Sequence, residues 1–232
     1  VVDDIRLNIP AEIKQAKGIV ADRADIITNA KREADGIIRS AEEKAKIAQF
    51  SENVYFAKPC GLLDQTAIAF GGLNMLDFGD KSKISVTKID NSLSDYTLIL
   101  INTGGSHANL TGEYAAIPQE MFSVAKSLGG ERLIDIDEKA FYDKLPSVIK
   151  TLSDRAVLRA IHFYEENNRV DCVYDALLQN DYDLFLQMIN QSGLSSMYKL
   201  QNCYVAGSNE QPIPKSLELA KKLIEEAANA KA

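Results

Sequence analysis

An aspartate just behind a proline–cysteine–glycine turn is the strongest candidate for chemistry in this sequence. Pro59 and Gly61 break the preceding element, and apolar residues from Leu62 onward recur at helical spacing. Asp64 is therefore predicted to lie in the first turn of a helix, where the dipole and unpaired N–H groups favour a carboxylate. A carboxylate in that position can act as a general base or an electrostatic clamp, although acids are also common in first turns without any function. The predicted apolar face of this helix comprises Leu63, Ala67 and Phe70.

Four stretches of the chain contain distinctive sequence motifs, in a fixed order. They are ENVYFAKPCGLLDQ at 52–65, LINTGGSHANL at 100–110 with Glu113 and Tyr114, RAIHF at 159–163 with Glu166, Asn167, Arg169 and Val170, and Ser192, Gly193, Ser195 and Ser196 followed by LQN at 200–202. Together they span roughly Phe50 to Pro214. In wording and order they resemble the galactokinases, which are members of the GHMP kinase superfamily.

The resemblance implies a sugar kinase that phosphorylates galactose at its anomeric hydroxyl, with ATP and Mg²⁺, to give galactose 1-phosphate. It implies that Asp64 is the catalytic residue, which takes the proton of that hydroxyl or stabilises its charge during attack on the γ-phosphate. It also implies that the backbone of Gly61 approaches the sugar and that the Tyr114 hydroxyl faces a sugar hydroxyl. Tyr114 has a plainer interpretation as an aromatic residue that packs at a helix start. All three residues are expected to share one pocket.

Other parts of the family pattern are not found in this sequence. The resemblance implies an N-terminal galactose-binding motif, a serine-rich phosphate loop with magnesium ligands and a C-terminal glycine-rich motif, none of which is present. Gly129 and Gly130 look like a helix stop, and Gly193 belongs to the last helical signature, so neither forms a phosphate loop. We therefore expect little or no turnover from this chain alone, whether it is a fragment, a fusion or a degenerate gene product.

The first fifty residues have a different composition. Between Ala11 and Phe50 there is no proline, and apolar residues repeat every seven positions, at Ile13, Val20, Ile27, Ala34, Ala41 and Ala48. The pattern predicts one helix of about 60 Å that pairs with another helix as a coiled coil, with self-association through residues 11–50 as one possibility. The stretch 32–45 weakly resembles the stalk helices of rotary ATPases. The predicted domains are thus a coiled-coil helix at 1–49 and a partial galactokinase-like domain at 50–232.

The remaining pattern predicts an α+β fold with few antiparallel strands followed by a helical bundle, an incomplete version of the GHMP kinase fold. Strands are predicted at 73–78 and 84–89, joined by a turn at 79–81, and a central strand at 96–102. A helix capped by Thr111 is predicted to run to about Leu128. Further helices are predicted at 138–145, 146–166, 168–179, 181–192 and 214–230.

Composition limits the classes of function. The chain has 232 residues, which is enough for one good core. Its net charge of −7 is unsuited to general nucleic-acid binding. Three cysteines, Cys60, Cys172 and Cys203, show neither metal-ligand nor disulfide spacing and indicate reduced thiols. The sequence has no run of membrane-spanning length and no secretory signal, so a cytoplasmic location is expected.

Two histidines and a set of charged residues are expected to be structural. His107 is expected to be solvated or to cap a helix, and His162 to pack and hydrogen-bond locally. Arg159, Glu166 and Arg169 are expected to form a charge network of low energetic value, about 0–1 kcal/mol for each exposed pair.

Three functions remain open from sequence. The first is a galactokinase, and the second is a non-catalytic coiled-coil scaffold with a relic domain. The third is a sugar sensor that binds galactose without turnover. Sugar-dependent thermal stabilisation without turnover favours the sensor, whereas a stable dimer without a ligand response favours the scaffold.

Overall fold

Two consecutive glycines separate the two compact units of the chain, Val1–Gly71 and Gly72–Ala232. A computed structural model describes residues 11–90, 93–94, 96–105 and 110–229. His107 lies outside these described residues. Gly71 and Gly72 have φ angles of 64° and 71°, in the left-handed region that glycine adopts without a steric penalty. The backbone at the junction of the two units therefore has a conformation that suits glycine.

The first unit consists of one long helix and a short one. Helix α1 spans Ala11–Phe50, continues as a π-helical turn at Ser51–Tyr55, and is followed by α2 at Leu63–Phe70. The single helix predicted over 11–50 is confirmed. Most of its described side chains are exposed, and only Ala41 and Ala45 are buried, near its end, where α2 packs on it. Of the seven-residue repeat, Ala41 is thus covered by the same chain, whereas Ala48 is exposed.

The buried face of α2 differs from the predicted one. Leu63 is 58 % exposed and Ala67 is also exposed, whereas Thr66 is buried. Because α2 packs against a part of α1 whose buried side chains are small alanines, its contact face turns by one residue towards Thr66. Leu63 and Ala67 of the predicted apolar face are therefore exposed, whereas the position of Asp64 in the first turn is confirmed.

A two-stranded antiparallel hairpin opens the second unit. Strand β1 at Asn74–Asp77 pairs with β2 at Ser85–Lys88, with Asn74 opposite Lys88 and Asp77 opposite Ser85. The Gly79 N–H donates to Asp77 Oδ1 over 2.7 Å and begins the turn. Both strands and the turn between them are confirmed, with ends one residue shorter than predicted.

The central strand predicted at 96–102 was wrong. These residues have no regular secondary structure, and the side chains of Leu98 and Leu100 are 99 % and 98 % exposed. A strand needs a neighbour for its backbone hydrogen bonds, and within the described residues β1 and β2 pair only with each other. The apolar composition favoured a buried strand, but the described two-stranded sheet does not include these residues.

Helices make up most of the second unit. They are α3 at Thr111–Ser127, a 3₁₀ turn at Leu133–Asp135, α4 at Glu138–Val148, α5 at Asp154–Gln179, α6 at Tyr182–Ser195, a π-helical turn at Ser196–Leu200 and α7 at Pro212–Asn229. Gly129, with φ of 89°, follows α3, and the Gly130 N–H donates to Ala125 O over 3.0 Å, so the predicted helix stop is confirmed.

Three predicted helix ends were wrong. Pro146 lies inside the last part of α4 and does not begin a helix, because the next helix starts only where the Ser153 hydroxyl accepts the Ala156 N–H. Helix α5 then continues without a break through residues 166–168, since that stretch contains no glycine or proline. Thr111 is the first helical residue of α3, and the cap position is held by Leu110 without a side-chain bond.

The apolar core lies between α3, α4 and α5. It contains nine buried residues, Val124, Ala125, Leu133, Phe141, Val148, Ala156, Val157, Ala160 and Tyr164. The rings of Phe141 and Tyr164 stack with centroids 4.7 Å apart. The Tyr164 hydroxyl donates to Leu133 O over 2.9 Å, and burial raises the pKa of Tyr164 to about 12. The tyrosine thus packs as an apolar residue with one satisfied donor.

A buried arginine connects the helices around this core. The Arg159 side chain is 2 % exposed, and its Nη1 donates to Glu120 Oε2 on α3 over 2.9 Å. Its Nε donates to Leu200 O over 2.9 Å. Arg155 binds the same glutamate from the solvent side. The predicted pairing of Glu166 with Arg169 is confirmed, at 2.7 Å, but Arg159 pairs with Glu120 and not with these two residues. Because Arg159 is buried, its energetic weight is larger than expected for an exposed pair.

We expect Arg159→Ala to lower the free energy of unfolding by about 3–5 kcal/mol, because Glu120 and the Leu200 carbonyl then lose a buried charged partner. Arg155→Ala is the matched control. It removes a partner of the same glutamate whose side chain is 39 % exposed, and we expect a loss of about 1 kcal/mol or less. Urea unfolding of both variants measures the difference, and equal losses would contradict a special role for the buried guanidinium.

His162 is a buried group whose contribution to stability depends on pH. Its Nδ1 lies 2.9 Å from Ser195 Oγ, and burial lowers the pKa of His162, with Glu166 partly opposing this shift. The unfolded chain therefore binds a proton more readily than the folded chain below the ordinary pKa of 6.5. Stability contributed by the neutral imidazole is present above that pH and is lost as the pH falls through it.

We expect the free energy of unfolding to fall as the pH is lowered from about 7.5 to about 5.5. It should fall less steeply in His162→Gln, because a glutamine side chain does not titrate in this range. Urea unfolding series at both pH values provide the measurement. The same pH dependence in both proteins would contradict this assignment.

Candidate functional site

A polar clamp holds the loop that precedes Asp64. The Asn53 side chain on the π-helical turn accepts the Cys60 N–H over 2.7 Å and donates to Cys60 O over 3.3 Å. Gln49 donates to the same carbonyl over 3.3 Å. From the other side, Gln65 on α2 donates to Glu52 Oε1 over 2.9 Å. Four side chains thus fix the backbone of the turn between α1 and α2.

The clamp leaves Gly61 and Asp64 open to solvent. A Cβ placed on Gly61 would meet no other atom within 4 Å, so the backbone there has free space around it. The Asp64 carboxylate is exposed at the start of α2 and makes no hydrogen bond or ion pair within the described residues. A carboxylate that is held by a helix and has unused acceptor positions can accept a proton or a hydrogen bond from a ligand hydroxyl.

Cys60 lies directly before Gly61, and its thiol is not activated as a nucleophile. Partial burial raises the pKa of its thiol, and the neighbouring Glu52 acts in the same direction. A thiol with a raised pKa is mostly protonated at neutral pH. All three cysteines, at positions 60, 172 and 203, are free, as expected from the sequence.

Tyr114 lies in the second unit, in the first turns of α3. Its ring is 56 % exposed, so it does not pack as a core residue, and its N–H donates to Leu110 O over 3.0 Å. Gly61 and Asp64 belong to the first unit, Val1–Gly71. The shared pocket of Gly61, Asp64 and Tyr114 stays a prediction.

The described residues do not fit a magnesium–nucleotide site by themselves. Within them no group of three or more histidine, cysteine, aspartate or glutamate side chains is placed to hold a metal ion. Gly129 follows the end of α3 and Gly193 lies inside α6, so neither glycine precedes a helix N-terminus where backbone N–H groups cradle phosphate. Also within the described part of the chain, no helix is long and apolar enough to span a membrane.

Comparison with known proteins identifies relatives for a large part of the chain. It is 30% identical to the galactokinase of Actinobacillus pleuropneumoniae over 142 residues, which are 61% of this chain and 36% of that protein. It is 32% identical to the galactokinase of Glaesserella parasuis over 144 residues, again 61% of this chain and 36% of the relative. A galactokinase of Mycobacterium tuberculosis is 28% identical over 192 residues, which are 80% of this chain and 51% of the relative.

These matches show a partial relationship to the galactokinases. No family model matches the chain. A match that covers 80% of 232 residues includes positions 61, 64 and 114 wherever it begins, so the candidate residues lie in the related part. The chain spans about a third to a half of the length of the curated relatives that it matches.

The sequence patterns did not predict the clamp. Glu52, Asn53 and Gln65 all lie within the galactokinase-like stretch 52–65, and Gln49 lies three residues before it. The amide side chains of Gln49, Asn53 and Gln65 are the signal that could have marked them. One amide group can donate a hydrogen bond to a backbone carbonyl and accept one from a backbone N–H. The contact needs α1 and its π-helical turn to bring residue 53 back to residue 60, which spacing alone does not indicate.

Proposed function

We propose that this chain carries the sugar side of a galactokinase-type site, with galactose as the ligand and its anomeric hydroxyl next to Asp64. The main support is the partial relationship to galactokinases, combined with the exposed Asp64 carboxylate on a clamped turn. Gly61 provides open backbone beside the sugar. Tyr114 is proposed to face a sugar hydroxyl. The GHMP kinase fold and the cytoplasmic location expected from sequence belong to the same proposal.

The proposed chemistry of Asp64 is proton acceptance. As the anomeric oxygen forms a bond to the γ-phosphorus of ATP, the bond from that phosphorus to the β,γ-bridging oxygen breaks and ADP leaves, while the hydroxyl proton passes to the carboxylate. Positioning and electrostatics provide most of the acceleration in phosphoryl transfer, whereas a general base typically contributes about 10²–10⁴-fold. Asp64 alone therefore falls short of full catalysis. ATP and Mg²⁺ are proposed as the other substrates by relationship, and the described residues of this chain supply neither of their binding sites.

Under this proposal the purified chain binds galactose but turns over ATP slowly or not at all. We expect galactose to raise the melting temperature, whereas sorbitol at the same concentration does not, because binding to the folded state alone stabilises it. We expect Gly61→Ala to remove the galactose effect without changing stability in the absence of sugar, since the added Cβ meets no atom within 4 Å. Asp64→Asn and Tyr114→Phe should each reduce the effect.

Asp183→Asn is the matched control for Asp64, because Asp183 is also an exposed acid in the first turn of a helix. It should leave the galactose effect unchanged. ADP release with ATP, Mg²⁺ and galactose separates the sugar sensor from the kinase. Robust turnover that is lost in Asp64→Asn would favour a complete kinase and show that residues read as coiled coil or helix stop bind the nucleotide. No response to galactose would contradict the proposal.

We further propose that α1 pairs with a second copy of this chain. Ile13, Val20 and Ile27 of the seven-residue repeat are 48%, 67% and 42% exposed, whereas Ala41 of the same repeat is buried where α2 packs. Pairing is therefore assigned to the part of α1 before Ala41. The scaffold function would rest on this pairing alone, without a ligand.

We expect sedimentation of the full chain to show a concentration-dependent dimer that is lost in the double variant Val20→Lys/Ile27→Lys. A charge buried in a coiled-coil seam is costly, so the equilibrium shifts to monomer. The matched control, Ala21→Lys/Thr28→Lys, places the same charges one residue along, on the face that points away from the seam. A monomeric wild type, or equal effects of both double variants, would contradict pairing through this seam.

A further inference from the structure

A cavity in the second unit has no role in the proposed sugar site. It has a volume of about 560 Å³ and is walled by β1, α3, the 3₁₀ turn and α5. Three phenylalanines, Phe78, Phe122 and Phe163, and two methionines, Met75 and Met121, form much of its lining. The volume is in the range of pockets that bury small ligands, about 300–1,000 Å³. Phe122 is 50 % exposed, which is unusual for a phenylalanine beside a well-packed core.

The charges around the cavity are mainly negative. Asp171 on α5 lines it and makes no hydrogen bond or ion pair within the described residues. Asp77 also lines it and uses Oδ1 for the Gly79 N–H. Among the described lining residues the one cation is Arg132, which is paired with Asp135 at 2.9 Å and whose Nη2 donates to Gly79 O over 2.9 Å, while only its buried Nε lacks a partner. The positive charge of Arg132 is therefore compensated by the Asp135 carboxylate. The negative charges of Asp77 and Asp171 are not compensated by an ion pair within the described residues.

We propose that this cavity binds a small organic cation with an apolar body, such as an aryl-alkyl ammonium. The faces of phenylalanine rings attract cations, and methionine side chains adapt to the shape of an apolar ligand. The ammonium group lies at the rim, where Asp171 and Asp77 accept its N–H donors, and the apolar body lies among Phe78, Phe122 and Phe163.

The sign of the rim charge distinguishes this ligand from a nucleotide or a carboxylate. An anion at the rim meets two uncompensated carboxylates and an arginine that is already paired. The inference depends only on residues of the second unit and does not depend on the galactokinase relationship. Galactose is not expected to compete, because it has neither the positive charge nor the continuous apolar surface.

Three probes of similar shape test the inference on the full chain at low ionic strength, where charge screening is weak. They are 2-phenylethylamine, which is a cation at neutral pH, neutral 2-phenylethanol and anionic 3-phenylpropionate. We expect the dissociation constant of the cation, measured by titration in NMR, to be at least about fivefold lower than that of the alcohol, which is about 1 kcal/mol. The anion should bind more weakly than both.

Variants assign the binding to this cavity. We expect Asp171→Asn to raise the dissociation constant of the amine about fivefold and to leave that of the alcohol unchanged, which also shows that the variant is folded. Asp175→Asn is the matched control, because Asp175 lies one turn along α5, is exposed and does not line the cavity. Phe122→Ala should weaken the amine and the alcohol together.

Three results would overturn the proposal. Equal dissociation constants for the three probes would show that only the apolar lining is used and that charge has no part. Tightest binding of 3-phenylpropionate, or equal effects of Asp171→Asn and Asp175→Asn, would show that the two rim carboxylates do not recognise a cation.

Discussion

One buried guanidinium connects the parts of the helical unit. Arg159 joins its own helix, α5, to Glu120 of α3 and to the carbonyl of Leu200 after α6. A buried charge is tolerated only where its partners compensate for lost hydration, so all three elements must lie where these bonds form. The apolar core between α3, α4 and α5 supplies most of the driving force, but apolar contacts tolerate sliding. The guanidinium does not, because its bonds depend on direction.

The contact between α5 and α6 follows the same principle. His162 faces Ser195, Glu166 bonds Ser192, and Glu165 bonds Lys199 in the π-helical turn. His162 lies one helical turn before Glu165 and Glu166 on α5. A shift of α6 by one helical turn along α5 would leave several polar groups without partners. Polar groups that are partly shielded from water are costly when they are unpaired. These contacts therefore specify the register between the helices.

The candidate sugar site uses a different device. Its loop has little core of its own, and amide side chains rather than apolar packing hold it, chiefly through the two bonds between Asn53 and Cys60. Such a clamp fixes backbone geometry and leaves Asp64 and the free space at Gly61 exposed to a ligand. Under the proposed function this exposure is useful, since a carboxylate already committed to internal bonds would be a poor acceptor for a sugar hydroxyl.

Local signals in the sequence determined the elements that depend on neighbours along the chain. The proline-free stretch of Ala11–Phe50 predicted its helix, Gly129 predicted the end of α3, and the turn before Leu63 placed Asp64 in a first helical turn. Tertiary contacts decided the rest. The run at 96–102 is apolar enough for a central strand, yet a strand exists only where another strand accepts its hydrogen bonds. Likewise, the burial of Thr66 and of Arg159 depends on which helix packs against them, and a sequence read along one chain does not contain that information.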